Sequence, residues 1–423
     1  MKLNDLKSII RQFRTGFFWV YNLFRTLWID NPYSIVIFVI MILAAYLRTY
    51  NLAYLPNGLA QSELLIIEKS KNIAETGKLW LGTDFREGLY LYLGAAVVKF
   101  FGAKIYFFRA LSALLGILTV LLTYLFTKEW FNKQTAFLAG LFMAFSSWHI
   151  AISRNIDPAV LQPLFILLIF FFASHAFRTK KIRYVVLSAL FLGLSVYVST
   201  SFLLLPALLL FAAFYFYIKN RKFLSAYIKE ISIAFNVFLI VTFPYFLMAA
   251  SDTRFFLSEY QISPFYSHLA NFGSIISSIF SYADSNYFFN LGTEALLDPF
   301  IGVLFFLGII FAVFNLGSRK NFFLLSWIIL MIIPAIFSYP FYISKLSMVL
   351  PATMILSAVV LDHLFNEWYT TFPLNRKARV FMFILSLVFF TLSFSYNYKK
   401  YFIAWAGSEK AKEVYSADIS VIK

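Results

Sequence analysis

The chain has 423 residues, 61% of them hydrophobic, 21% aromatic and only 13% charged, with a formal charge of +16. Soluble domains average roughly a quarter charged, so this composition excludes a water-soluble globular protein and points to one polytopic membrane domain. The absence of cysteine excludes disulfides, thiolate catalysis and cysteine metal sites, and four dispersed histidines form no metal-ligand spacing.

Residues 1–32 precede the first span. There Ile10, Phe13, Phe17, Tyr21, Phe24 and Trp28 recur at helical spacing among Arg11, Arg14 and Arg25, which predicts an in-plane amphipathic helix at the cytoplasmic interface. Eleven spans are predicted, near 33–50, 106–127, 134–150, 159–177, 184–198, 202–218, 231–250, 296–315, 321–338, 347–365 and 380–396. Most have roughly the 17–25 residues that a spanning helix needs. Together they predict a transmembrane domain over 33–396 and a short extracytoplasmic tail over 397–423. The run 89–101, "LYLYLGAAVVKFF", is short for a span.

The charges of the loops decide its role. "RTKKIR" (178–183), "KNRKF" (219–223), "SRK" (318–320) and "NRKAR" (375–379) are rich in Lys and Arg, whereas 251–295 holds a single arginine, Arg254. If 89–101 does not span, all the basic loops fall on the side of the basic N-terminus; the positive-inside rule therefore makes it an amphipathic helix on the outer surface. The basic excess thus reports topology, and nucleic acid is not an expected partner. The expectation is a multi-pass plasma (inner) membrane protein, N-terminus cytoplasmic, with two large outer loops, 51–105 and 251–295.

Charges beside a bilayer are costly and tend to be functional. The first outer loop collects Glu63, Glu68, Glu75, Asp84, Arg86 and Glu87, and Arg109 opens the second span. Later outer boundaries add His149, Arg154 and Asp157, and then Lys345. Cations beside carboxylates suit transfer from a phosphate-bearing donor: the cations hold phosphate, and a carboxylate takes the proton of an attacking hydroxyl. Each residue also has a structural role open to it. A helix over 57–76 would put Glu63, Ile67 and Ser70 or Lys71 on one face, with Glu68 and Glu75 on a solvated one. Glu63, near the start of that helix, is either a cap or a catalytic carboxylate. Arg154 and Lys345 could snorkel to head groups, and His149, beside Trp148, could be structural.

The pieces "LPNGLAQSELL", "TGKLW", "TDFREGLYLYLGAAVVKFFG", "FFRALSALLGILTVLLTYLF", "SSWHIAISR", "DPFIGVLFFLGII", "LLSWIILMIIP" and "SKLSMVLPA", in that order, resemble the bacterial GT-C glycosyltransferases related to protein O-mannosyltransferases and the lipid A aminoarabinose transferase. The resemblance covers roughly 33–365. It implies an all-α polytopic, GT-C-like fold of about eleven transmembrane helices, with amphipathic juxtamembrane helices in the first outer loop. It also implies transfer of a sugar from a polyprenyl-phosphate carrier to an extracytoplasmic glycan, lipid or protein.

In that family an Asp-Glu pair opens the first outer loop, and the Asp is the base or metal-associated carboxylate. Here Ser62 stands in its place, and Glu63 matches the second acid. The resemblance implies Glu63 and Asp84 as catalytic groups, with Arg86, Arg109, Arg154 and Lys345 at the donor; His149, from its outer-boundary position, is a further candidate for binding substrate. Lys345 stands where the family carries arginine, so it would meet phosphate as a point charge without the bidentate fork. The resemblance leaves room for a divalent cation, which wants more than one carboxylate oxygen. Serine is no base near neutral pH. The substitution therefore also fits a paralogue that binds lipid-linked sugar or a partner enzyme without catalysis. Tyr260, Tyr266, Tyr282 and Tyr287 mark 251–295 as the acceptor side, or as an interfacial aromatic belt.

Overall fold

The computed structural model describes residues 32–77, 88–206, 209, 214, 217–218, 221, 223–251, 265–281, 287–288, 294–338 and 343–417. The predicted interfacial helix in 1–32, the residues Asp84 and Arg86, most of the predicted span 202–218, and Tyr260 and Tyr282 lie outside the described residues; of Tyr266 only the backbone is described. The helices are α1 (Pro32–Thr49), α2 (Gln61–Thr76), α3 (Gly88–Phe101), α4 (Ile105–Trp130), α5 (Lys133–Phe145), α6 (Ser147–Arg154), α7 (Leu161–Thr179) and α8 (Ile182–Ser195). They continue as α9 (Phe223–Ser251), α10 (Phe265–Phe280), α11 (Pro299–Phe314), α12 (Arg319–Ile336), α13 (Leu350–Thr371), α14 (Arg376–Tyr398) and α15 (Glu409–Val414). Short 3-10 turns at Pro158–Val160, Thr200–Leu204 and Ile343–Met348 join them.

The chain is an all-α polytopic membrane protein, but the count of eleven spans needs correction. Among the described residues five helices are long and apolar enough to cross a membrane, or six if α5 and α6, bent by 57° at their junction, form one span. The difference has local causes. Ser146 ends α5 and caps α6, accepting from the His149 N–H at 3.4 Å, so the predicted span 134–150 is broken by its own "SSWH". Helix α13 carries Asp362, His363, Asn366 and Glu367 in its second half, and residues 182–195 and 299–314 form apolar helices below spanning length.

Apolar surface holds the bundle together. α4 packs on α1, α5, α6 and α7, and α13 packs on α5 and α11. One contiguous core runs through them, including the aromatic group Phe126, Phe170 and Trp327 with rings 4.7–6.4 Å apart. Burying a large apolar side chain contributes about 1.5–3 kcal/mol relative to water, but lipid is as apolar as leucine. Close approach therefore matters more, and Gly116 of α4 provides it. A Cβ there would lie 2.3 Å from the Cβ of Ser153 and 3.2 Å from Arg48 Nε.

The loops sort into two ends. At one end Glu129 meets Arg178 at 3.4 Å, Asn132 donates to Asp362 at 2.7 Å, and Lys320 lies over Phe131 at 5.2 Å. The other end gathers the loop between α1 and α2, the break between α5 and α6, the segment before α11 and the residues after α14. Helix α3 begins and finishes at this second end. The Leu89 N–H donates to the Tyr197 carbonyl at 3.2 Å, and Gly102 turns the chain directly into α4. With 14 residues α3 is about 21 Å long, less than the roughly 30 Å hydrocarbon core.

Candidate active site

The site is built around the start of α2. Ala60 caps the helix in an extended conformation, and Glu63, at the third helical position, turns back to accept its N–H at 3.1 Å. This is half of a capping box, because alanine has no acceptor to return. The second Glu63 oxygen accepts from the Ile156 N–H at 2.8 Å, so the carboxylate ties α2 to the turn after α6. Arg109, near the start of α4, lies 3.7 Å away. Glu63 is fully buried and Arg109 is 1% exposed.

Burial pushes the Glu63 carboxyl above its ordinary value; Arg109 and the Ile156 and Ala60 N–H groups pull it down without cancelling the desolvation. The sequence left Glu63 open as a cap or a catalytic acid. Here it caps, with both oxygens occupied. The buried face of α2 carries Glu63, Leu64, Ile67 and Ser70, whereas Glu75 is exposed and Glu68 partly so. The helix begins at Gln61, four residues later than the predicted 57.

Two arginines hold the preceding loop by its backbone. Arg109 donates to the carbonyls of Pro56, at 2.9 Å, and Gly58. Arg154, at the end of α6, donates to Leu47 at 3.0 Å and Leu55 at 3.1 Å, with the rings of Tyr401 and Phe402 at 5.5 and 5.2 Å. Each guanidinium thus closes carbonyls that neither helix nor sheet would satisfy. Gly58 has φ +95°, a conformation that a side chain rarely adopts, and a Cβ would meet the Tyr415 carbonyl oxygen at 2.0 Å.

His149 does not stand as a cation. Its Nδ1 lies 2.6 Å from Arg48 Nη2. Arginine has only donors, so Nδ1 accepts and the imidazole is neutral with its proton on Nε2. Arg48 also donates to the carbonyls of Ala44 at 3.1 Å, Met143 at 3.1 Å and Ala144 at 3.0 Å, bracing the break between α5 and α6. Lys345, 6% exposed, sits on the Ile343–Met348 turn, which packs against Pro158–Val160; two residues on, Ser347 donates to Gln162 at 2.6 Å.

Glu63, Arg109 and Arg154 therefore come together through one loop, and His149 joins them through Arg48. Sequence reasoning missed Arg48, Tyr90 and Tyr415. Arg48 had a signal, since a lone arginine one residue from the end of an apolar helix is costly unless used. Tyr90 bonds Ser112, one turn after Arg109, at 2.6 Å; burial pushes its phenol up, and the charges of Asp157 and Glu63 add to that. Among the described residues no group of three or more His, Asp or Glu gathers as metal ligands.

Comparison with known proteins bears on the fold. The family described as dolichyl-phosphate-mannose-protein mannosyltransferase matches residues 89–247, less than half of the chain. The apo oligosaccharyltransferase of Archaeoglobus fulgidus superposes with a TM-score of 0.61 at 15% identity, covering 91% of this chain and 57% of that one. Oligosaccharyltransferase AglB from the same organism, in complex with an inhibitory peptide and a dolichol-phosphate, gives 0.59 at 16% identity, covering 88% and 56%. ArnT from Cupriavidus metallidurans, bound to undecaprenyl phosphate, gives 0.55 at 15% identity, covering 90% and 77%. A search of curated proteins found no match. The chain spans little more than half the length of the oligosaccharyltransferases it resembles. At these identities the likeness is one of architecture, and the chain has a GT-C-like fold.

Proposed function

We propose that the protein is a membrane glycosyltransferase that takes a sugar from a polyprenyl-phosphate carrier and transfers it to a glycan, lipid or protein acceptor on the outer face of the plasma membrane. The observation that carries this is the fold, since proteins of the same architecture hold dolichol-phosphate and undecaprenyl phosphate. Charge at the site end supports it. Arg48, Arg109, Arg154, Lys345 and Lys400 are buried there against Glu63 and Asp298, and the Nε groups of all three arginines lack a partner among the described residues. Such an excess favours an anionic ligand.

In this reaction the acceptor oxygen attacks the anomeric carbon while the bond from that carbon to the phosphate oxygen breaks. The configuration inverts, and the polyprenyl phosphate leaves with the electron pair. Asp84 takes the acceptor proton, Arg86 and Lys345 meet the phosphate, and Arg109, Arg154 and the Arg48–His149 pair hold the surrounding backbone. Glu63, enclosed by its two N–H donors, orients the loop. The N-terminus is then cytoplasmic and the basic loops face inward.

A second reading has its own observation. Ser62 is exposed on the first turn of α2, at the position where the sequence resemblance implies an aspartate, which favours a paralogue that binds lipid-linked sugar without turnover. Assaying the purified protein in detergent against a panel of polyprenyl-phosphate sugars, beside Ser62→Asp, separates the two. Turnover by the wild-type chain establishes the enzyme. Turnover by Ser62→Asp alone establishes the impaired paralogue, and binding of no lipid-linked sugar by either removes both.

A further inference from the structure

The residues after α14 do not trail away from the bundle. A π-helical turn, Lys399–Trp405, leads into α15 and then to Ala417, and along this path the chain touches Arg154, the segment before α11 and the loop before α2. Lys400 donates to the Ala295 carbonyl and lies 4.0 Å from Glu294, in the segment before α11. Tyr401 and Phe402 face Arg154. Trp405 Nε1 donates to the Tyr287 carbonyl at 2.9 Å, and the Ala406 carbonyl accepts from Asn57 at 3.2 Å.

The chain then pairs with the loop before α2 as a two-residue parallel bridge. The Leu59 N–H donates to the Tyr415 carbonyl at 3.0 Å, and the Ala417 N–H donates to Leu59 at 2.9 Å. The Tyr415 ring, 2% exposed, stacks on Phe288 at 5.8 Å and meets Trp405 edge-on at 5.7 Å. Gly58, whose missing Cβ admits the Tyr415 carbonyl, completes the fit.

These contacts have a common geometry. The loop 55–60 is held from one side by Arg154, at Leu55, and Arg109, at Pro56 and Gly58, and from the other by a segment that arrives from 349 residues away. Ordering a segment costs roughly 1–2 kcal/mol per residue in backbone entropy, so a short piece with no core of its own stays docked only through such contacts. It docks on the loop that ends in Glu63 and on the segment before α11, and so couples the two.

We propose that residues 399–417 are a strap that holds the 56–63 loop in register at the site, with Tyr415 as its positioning residue. Tyr415 acts through the backbone of Gly58 and Leu59. Its effect on turnover rests on the glycosyltransferase reading, but its effect on the loop does not.

The absence of cysteine in the chain permits a clean test on the full-length protein in detergent, with no donor present. Ala60→Cys places a thiol at a position 3% exposed in the strapped loop, and Ala136→Cys a control thiol at a fully buried position in α5. Maleimide modification of each then reports local opening. Tyr415→Ala, which removes the ring, and Ala417→Pro, which removes one N–H of the bridge and keeps the fold if Tyr415→Ala does not, should each speed labelling at residue 60 about tenfold and leave residue 136 unchanged. Tyr415→Phe keeps the ring against Phe288 and Trp405 and should label more slowly than Tyr415→Ala, close to the parent chain, because ring packing and not the hydroxyl seats the segment. Equal labelling at residue 60 in all variants, or a parallel rise at residue 136, overturns the strap. With donor supplied, Tyr415→Ala should lower kcat with KM for the donor unchanged. If no variant turns over while the labelling pattern holds, the enzymatic reading fails and the strap stands.

Discussion

The two ends of the bundle handle charge in opposite ways. At the basic end Arg178, Lys180, Lys181, Arg183, Arg319, Lys320, Arg376, Lys377 and Arg379 are all exposed, while Glu129 and Asp362 are drawn inward. At the site end Arg48, Glu63, Arg109, Arg154, Asp298 and Lys400 are buried, and each bonds to a segment of chain outside its own element. Asp298 shows the pattern well. It caps α11 through the N–H groups of Phe300 and Ile301 at 3.0 Å and also accepts from Asn397 at 2.8 Å and Ser393 at 3.1 Å. Exposed charge sets the orientation of a bundle at little cost in desolvation. Buried charge orders irregular backbone, and it is found where loops have to be fixed.

The contrast breaks most visibly at Arg109. Arg109→Ala leaves a buried carboxylate without its cation and two loop carbonyls without donors, and is expected to destabilise the protein by about 3–5 kcal/mol, read as a fall in the thermal midpoint in detergent. A loss below 1 kcal/mol would place the pair in the class of surface ion pairs. Glu63→Gln is expected to cost less, about 1–3 kcal/mol, because the amide keeps one acceptor for the Ala60 and Ile156 N–H groups.

The same variant sharpens the pH response. Burial raises the Glu63 carboxyl above its unfolded value of 4.5, so in that window the native state keeps a proton that the unfolded chain releases. Stability then falls as pH rises from 4.5 through the folded value. Glu63→Gln should flatten that fall, and an unchanged slope would assign it to another group. The smallest effect belongs to the other end. Lys181→Ala or Arg183→Ala should move stability by less than about 0.5 kcal/mol. Modification of a thiol at Lys181→Cys by an impermeant reagent from outside the cell would reverse the proposed orientation.

Much of this division was legible in the sequence, because charged residues stand out against an apolar chain. Glu63, Arg109 and Arg154 could be picked out singly, and the loop charges separated the two ends before any contact was known. Pairings were not legible. Nothing in local pattern says that His149 accepts from Arg48, or that Asn57 meets Ala406, since these contacts join elements far apart along the chain. The tail looked like a peripheral segment because its apolar positions, Tyr401, Trp405 and Tyr415, are spaced among lysines; its role depends on a carbonyl meeting a glycine. The overcount of spans came from reading apolar runs as continuous. Ser146 breaks one of them by offering a side-chain acceptor to the next helix, a competition that hydropathy does not register.

Transfer from a polyprenyl-phosphate sugar frees the carrier, so release of polyprenyl phosphate reads the proposed reaction itself. Purified wild-type protein, incubated with a labelled donor and membrane acceptors, is expected to release polyprenyl phosphate in a time-dependent manner. Asp84→Asn, folded to the same degree, should lower the rate about 10²- to 10⁴-fold, the usual worth of a general base. Release that is absent from the wild-type chain for every donor, or undiminished in Asp84→Asn, would contradict, respectively, the activity or the proposed base.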